Sequence, residues 1–167
     1  GVHGSLKMVA IFGNVSLGQQ CGIRNRQDGL AIVHELTEKH AGRFDTMYAG
    51  WDLCRATQLL GMMYLVKMID REELDQEFSR TGKIIQQQFH SWDEMAESYL
   101  AGYEAWCART DQKDAAQYAA RRRVIFMQLK ANPDGPYSVP WQTDLNWMPG
   151  TKAERTTVRR VLFRYRP

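Results

Sequence analysis

SWDEMAESYLAGYEAW, residues 91–106, is the segment that most clearly predicts a buried helix in this chain of 167 residues. Ser91 is a typical N-cap residue, and Glu94, three residues later, predicts a reciprocal capping box with it. Because a stripe with four aromatic rings buries a large apolar area, we expect the central helix of an all-α domain here. The apolar side chains that recur at helical spacing are Trp92, Met95, Tyr99, Leu100, Tyr103 and Trp106.

Length and composition indicate one globular domain. Hydrophobic residues make up 44% of the chain and charged residues 25%, which excludes an intrinsically disordered protein. No apolar run approaches the roughly 18 residues that a membrane span requires, and the N-terminus lacks the pattern of a signal peptide. We therefore expect a cytoplasmic helical domain over residues 1–150 and a basic extension over residues 151–167 that packs on it.

Motifs for common chemistry are missing from the sequence. Cys21, Cys54 and Cys107 are too few and too widely spaced for a disulfide framework, and the four histidines lack the spacing of zinc ligands. The chain contains no Walker loop, no G-x-G-x-x-G and no G-x-S-x-G. We therefore predict no metal, no cofactor and no catalytic residue, and we favour a function other than catalysis.

Capping residues and apolar periodicity predict further helices. Asn25 is a good N-cap, and Asp70 with Glu73 forms a second capping-box pattern. In the helix that begins at Asp70, we expect Phe78 to face inward and the run Gln86–Gln88 to face mostly outward. The most apolar segment, residues 45–68, is hydrophobic on nearly every side, as buried helices are. The predicted helices span residues 5–20, 26–40, 45–68, 70–89, 91–106 and 111–130.

Proline-containing segments follow these helices. Residues 132–136, Asn-Pro-Asp-Gly-Pro, end the last one, since proline removes a backbone donor and clashes with the preceding turn. Residues 140–147 predict an extended segment anchored by Trp141 and Trp147. Residues 158–165 fit either a basic amphipathic helix or a strand. The predicted fold is therefore all-α, a single bundle-like domain of about five to seven helices, with an extended Pro/Trp segment and a basic C-terminal helix or strand.

Several local patterns follow one another in a definite order. They are Cys21-Gly22-Ile23, AGWDLCRA at residues 49–56, FHSWDE at residues 89–94, SYLAGY at residues 98–103 with Trp106, and Val139-Pro140-Trp141. In this order they resemble the bacterial family catalogued as domain of unknown function 1266, over about residues 19–147. The resemblance implies an all-helical fold and supplies no established activity. Cys21 departs from the tryptophan that is usual there, and the family pattern does not cover the basic segment after Trp147.

The sharpest candidate site is formed by Asp52 and Arg55, which lie three residues apart and therefore on one face of the most apolar helix. A buried ion pair that fixes the helix register, with Tyr99 or Tyr103 as a third member, is the first interpretation. A pocket in which the pair orients a small polar ligand is the second. Catalysis by Asp52 is the third, because perturbed carboxylates cluster at active sites.

The net charge of +3 is unevenly distributed along the chain. Residues 1–119 contain 12 Lys/Arg and 16 Asp/Glu, whereas residues 120–167 contain 10 Lys/Arg and 3 Asp/Glu. We therefore expect a domain that binds a protein with an acidic surface, and an inhibitor or immunity protein is one kind of protein that binds in this way. Nucleic-acid binding is the alternative for the same basic region, and no membrane partner is expected. The arginines expected to contact a partner are Arg121, Arg122, Arg155, Arg159, Arg160 and Arg164.

Overall fold

The fold is seen in a computed structural model that describes residues 18, 22–43, 47–110 and 114–146. These residues form five α-helices and one 3-10 turn and contain no strand, which confirms the predicted all-α class. The basic extension over 151–167, and all of the helix predicted over 5–20 except Gly18, lie outside the described residues. The helices are α1 (Arg26–Glu38), α2 (Ala49–Leu65), α3 (Arg71–Gln88), α4 (Trp92–Arg109) and α5 (Ala115–Ala131), and the 3-10 turn spans Pro136–Ser138.

Side-chain caps begin α1 and α3 as the sequence predicts. The Asn25 side chain accepts a hydrogen bond from the backbone N–H of Asp28 at 3.0 Å. At α3, Asp70 accepts from the N–H of Glu73 at 2.9 Å, and the Glu73 carboxylate accepts from the N–H of Asp70 at 3.3 Å. Both caps satisfy donors that have no partner inside the helix, so they set where each helix begins.

The cap of α4 is confirmed only in its first half. The Ser91 hydroxyl accepts from the N–H of Glu94 at 3.1 Å. The Glu94 carboxylate, however, accepts from the N–H of His90 at 2.7 Å instead of that of Ser91, and it also lies 3.1 Å from His90 Nδ1. The predicted reciprocal box is wrong in this second bond, because His90 offers the carboxylate two partners, its backbone N–H and its imidazole.

The centre of the fold is α2, which packs against α1, α3 and α4. The prediction that residues 91–106 form the central helix is therefore wrong, since α4 lies between α2 and α5. An apolar surface on nearly every side allows α2 to bury itself against three neighbours. The core between α1, α2 and the start of α3 contains Ile23, Val33, Leu36, Ala56, Leu59, Leu60, Met63, Val66, Ile69 and Leu74.

Two glycines let α2 and α4 approach closely. A Cβ atom added to Gly50 would lie 2.6 Å from the backbone oxygen of Met95 and 2.6 Å from the backbone nitrogen of Tyr99. The N–H of Gly50 donates to the hydroxyl of Ser98 at 2.9 Å across the same contact. A Cβ atom on Gly102 would overlap the Cβ atom of Trp51. The close crossing therefore explains two of the sequence patterns, the Ala-Gly-Trp and Ser-Tyr-x-x-Gly segments, by packing.

One prediction for α3 is wrong and another holds only in part. Phe78 was expected to face inward and is 38% exposed. The run Gln86–Gln88 was expected to face mostly outward: Gln87 is exposed and Gln86 partly exposed, but Gln88 is buried. The Gln88 side-chain N–H donates to the backbone oxygen of His40, so the α1–α2 connection supplies a partner for this group. Helical periodicity alone does not reveal such a partner, because it belongs to another element.

The closing segment, residues 139–146, is tied to α3 and α4 through backbone oxygens. Trp141 Nε1 donates to the oxygen of Phe89 at 2.9 Å, and Trp92 Nε1 donates to that of Val139 at 2.8 Å. Gln86 Nε2 donates to the oxygen of Trp141 at 2.7 Å. Turns at residues 141–142 and 145–146 bend the segment that was predicted to be extended. The predicted anchoring by Trp141 is confirmed, and Trp147 lies outside the described residues.

Candidate functional site

An aromatic cluster forms where α2 meets α4. The Trp51 ring centroid lies 5.4 Å from that of Tyr99, 5.3 Å from that of Tyr103 and 5.9 Å from that of Trp106. Tyr99 and Tyr103, four residues apart on α4, are nearly parallel, with an interplanar angle of 4°. The rings of Trp51 and Trp106 pack with Tyr103 and Cys107 of α4 and with Ala119 of α5, so the aromatic cluster joins α2, α4 and α5.

Arg122 of α5 lies on this aromatic cluster. Its guanidinium carbon is 3.9 Å from the ring centroid of Tyr103 and 5.7 Å from that of Tyr99. Its Nη1 donates to the hydroxyl of Tyr99. A cation above a ring is attracted by the negative face of the π system, so Arg122 holds α5 to α4 through two tyrosines.

A cavity of about 440 Å³ lies beside this contact, between α4 and α5. The cavity reaches the surface along α5, because Ile125 lines it and is 53% exposed. From α4 and α5 the lining residues are Trp92, Met95, Ala96, Tyr99, Leu100, Arg122, Ile125, Phe126 and Leu129, and they are joined by Cys54 of α2 and Tyr137 of the 3-10 turn.

Edge-to-face contacts connect the aromatic side chains that line one end of the cavity. The Tyr137 ring centroid lies 5.3 Å from that of Trp92 and 4.9 Å from that of Phe126, with interplanar angles of 84° and 85°. Trp92 makes a third contact of this kind with Trp141, at 4.8 Å and 90°. The closing segment and the 3-10 turn thus support the cavity wall with rigid side chains.

Two ion pairs cross between α4 and α5 away from the cavity. Arg123 Nη2 donates to Glu97 Oε2 at 2.8 Å, and Lys130 Nζ lies 2.6 Å from Asp93 Oδ2. All four side chains are about half exposed, so each pair is expected to contribute only about 0.2–1 kcal/mol. Together they fix which faces of the two helices meet, and they leave the apolar face between the helices to form the cavity.

The polar groups of the cavity are mostly uncharged at neutral pH. Burial raises the pKa of the Cys54 thiol to about 12. Burial also raises the pKa of the phenols of Tyr99 and Tyr137 above the usual range. The described residues that line the cavity include no His, Asp or Glu. Arg122 is therefore the charged lining residue, and the arrangement is suited to binding an apolar molecule rather than to moving protons.

The predicted Asp52–Arg55 contact is wrong. Asp52 Oδ2 lies 2.8 Å from Lys39 Nζ and 3.0 Å from His40 Nε2, at the end of α1. The Arg55 guanidinium lies 5.8 Å from the ring centroid of Trp51. A spacing of three residues places the two side chains on one face, but the connection after α1 brings a lysine and a histidine within hydrogen-bond distance of Asp52.

The structure brings together three of the predicted site residues that had been assigned to different sites. Tyr99 and Tyr103 were predicted as members of an Asp52 site, and Arg122 as a contact for a partner, yet all three form one contact beside the cavity. Arg121 is exposed and lines no part of the cavity. The remaining predicted partner residues lie outside the described residues: Arg155, Arg159, Arg160 and Arg164.

The sequence analysis did not predict the cavity, although the residues that line it follow helical spacing in the sequence. Residues 122, 125, 126 and 129 of α5 follow the spacing i, i+3, i+4, i+7, and residues 92, 95, 96, 99 and 100 of α4 follow a similar one. Two successive helices with such stripes predict a shared interface. The sequence does not show that the interface leaves a cavity, because that depends on how closely the helices approach.

Comparison with known protein families shows a match. A family model described as a protein of unknown function, DUF1266, matches residues 19–141. The chain belongs to the DUF1266 family. The match includes α1 to α5 and every residue described above as lining the cavity. Neither a curated protein nor a solved structure shows significant similarity to the chain.

None of the helices within the described ranges is long and apolar enough to cross a membrane. Among residues 18, 22–43, 47–110 and 114–146, no three His, Cys, Asp or Glu side chains are grouped so that they can hold a metal ion. The cavity between α4 and α5 is the candidate functional site, because its walls bring apolar and aromatic side chains together with Arg122 and the Tyr99 hydroxyl.

Proposed function

We propose that this DUF1266 domain is a binding protein without catalytic activity, and that it holds a small apolar ligand in the cavity between α4 and α5. The observation that carries the proposal is a cavity of about 440 Å³ with mostly apolar and aromatic walls. Sites for small molecules commonly have volumes of roughly 300–1,000 Å³, apolar walls and a few polar groups that orient the ligand. Arg122 and the Tyr99 hydroxyl supply such polar groups here.

Saturable binding of the neutral dye N-phenyl-1-naphthylamine, followed by its fluorescence, tests this proposal. Ala96 lines the cavity, so Ala96→Phe fills it and is expected to weaken dye binding at least about 10-fold. Leu129→Trp fills the same cavity from α5 and is expected to act in the same way. The matched control is Ala108→Phe, at an exposed position of α4 that does not line the cavity, and it should bind like the wild type.

Two results would contradict the proposal. One is the absence of saturable binding to the wild-type protein. The other is undiminished binding to both filled variants, with circular dichroism showing that each variant is folded.

The second candidate function is binding of a protein partner with an acidic surface, as expected from the charge distribution. On α5, Val124 and Met127 are 53% and 63% exposed and do not line the cavity, and Arg121 is also exposed. Large apolar side chains beside a cation are typical of interfaces.

Val124→Glu and Arg121→Glu should each reduce stoichiometric capture of such a partner, and added salt should weaken the capture. The control is Gln87→Glu, at an exposed position of α3. Equal capture by all three variants would count against this surface.

A further inference from the structure

We propose that the ligand of the cavity carries a carboxylate, and that Arg122 binds this group while the apolar body of the ligand enters the space between α4 and α5. This inference rests on the proposed function and adds the chemical class of the ligand.

Arg122 and the next residue of α5, Arg123, have different hydrogen-bond partners. Arg123 donates to a carboxylate, that of Glu97, at 2.8 Å. Arg122 donates instead to the hydroxyl of Tyr99, and no carboxylate of the described residues forms an ion pair with it. A planar guanidinium with a neutral partner keeps N–H groups for a planar anion, and carboxylates match this fork with two parallel hydrogen bonds.

The Tyr99 hydroxyl can assist in the same place. Its oxygen accepts the hydrogen bond from Arg122, which leaves its own proton free to be donated. Tyr99 lines the cavity, so a carboxylate beside Arg122 can accept from the phenol as well as from the guanidinium. Trp92, the lining residue with an indole N–H, already donates to the backbone oxygen of Val139. Polar recognition is thus concentrated at Arg122 and Tyr99.

Arg122 lies on the exposed side of the cavity, so the charged group of the ligand is expected to bind there. Arg122 is exposed, whereas Leu100 is buried and Phe126 half-buried on the walls of the cavity. A bound carboxylate can therefore keep part of its hydration while the apolar body is removed from water, which avoids the cost of burying a charge completely. An apolar cation would meet Arg122 and find no carboxylate among the described lining residues.

Three naphthalene probes of similar size test the inference: naphthaleneacetate, its neutral amide and the cationic naphthylethylamine. Each is titrated into the wild-type protein and followed by calorimetry. We expect naphthaleneacetate to bind at least about 10-fold more tightly than the amide, and the amine to bind most weakly. Arg122→Gln should weaken binding of the acetate at least about 10-fold and that of the amide much less, so that the preference for the acetate disappears.

The matched control is Arg123→Gln, which removes a cation from the next residue of α5 and should preserve the preference for the acetate. Equal affinities for acetate and amide in the wild-type protein would overturn the inference and leave the proposed function intact. An equal loss of both in Arg122→Gln would also overturn it, because the side chain would then act only by holding α5 against α4. Failure of N-phenyl-1-naphthylamine and of all three naphthalene probes to bind would overturn the proposed function itself.

Discussion

The guanidinium carbon of Arg122 lies 3.9 Å from the centre of the Tyr103 ring, and this contact joins α5 to the rest of the domain. α5 buries little of its own surface, since Ala119 is its one side chain among the buried residues of the described core. The stability of α5 therefore depends on a few identifiable contacts with α4, of which this is one.

Replacing Arg122 with alanine should lower the free energy of unfolding by about 1–2 kcal/mol. The change removes a cation–π contact and the hydrogen bond to Tyr99, which are worth about 1 kcal/mol each. Urea denaturation followed by tryptophan fluorescence measures the effect. Arg121→Ala is the control, because Arg121 is exposed on the same helix and should change stability by less than about 0.5 kcal/mol. Equal effects of the two changes would show that the stacked contact does not hold α5.

Gly50→Ala should destabilise the protein by about 2 kcal/mol or more. The new methyl group would lie 2.6 Å from backbone atoms of Met95 and Tyr99, so α2 and α4 would have to move apart. Thermal unfolding should show a fall in Tm of several degrees. Gly61→Ala is the matched control within α2, because a Cβ atom there meets no atom within 4 Å. That change should stabilise the helix by up to about 1 kcal/mol. The decisive result is a lower Tm for Gly50→Ala and a higher Tm for Gly61→Ala.

Glu77 should make stability sensitive to acid. Burial raises the pKa of its carboxyl, but hydrogen bonds from His34, at 3.1 Å, and Arg80, at 3.0 Å, hold that pKa below its usual value of 4.5. The unfolded chain therefore binds this proton more readily, so the stabilisation is present above about pH 4.5 and is lost as the pH falls further. Glu77→Gln should flatten the dependence of the urea midpoint on pH below about 4.5. Glu35→Gln, at an exposed position of α1, should leave that dependence nearly unchanged.

Cys54 should react slowly with thiol reagents in the folded protein. Its pKa is raised from 9.0 to about 12, so the thiolate, which is the reactive form, is about 1,000-fold less abundant at pH 8. The measurement is the rate of labelling by a chromogenic disulfide in a variant with Cys21→Ser and Cys107→Ala. The same variant in 8 M urea should react at the ordinary rate of a free thiol. Rapid labelling of the folded variant would contradict the partly buried, uncharged state of this side chain.

Local sequence signals predicted where several helices begin and which residues fill much of the core. Asn25, Asp70 and Ser91 each cap a helix, because capping depends on side chains within three residues of one another. The apolar surface around α2 predicted its burial for the same local reason. Contacts between distant residues were predicted less well, as the pairing of Asp52 with Lys39 and His40 shows.

The amino-acid sequence by itself determined that this chain forms an all-α domain, because helical spacing and caps are properties of neighbouring residues. Only the tertiary structure decided that Tyr99, Tyr103 and Arg122 meet beside a cavity. The physical reason is that a cavity is the space that two packed helices fail to fill. Its existence depends on the distance at which Gly50 and Gly102 let α2 approach α4, and on the side chains that hold α5 against α4.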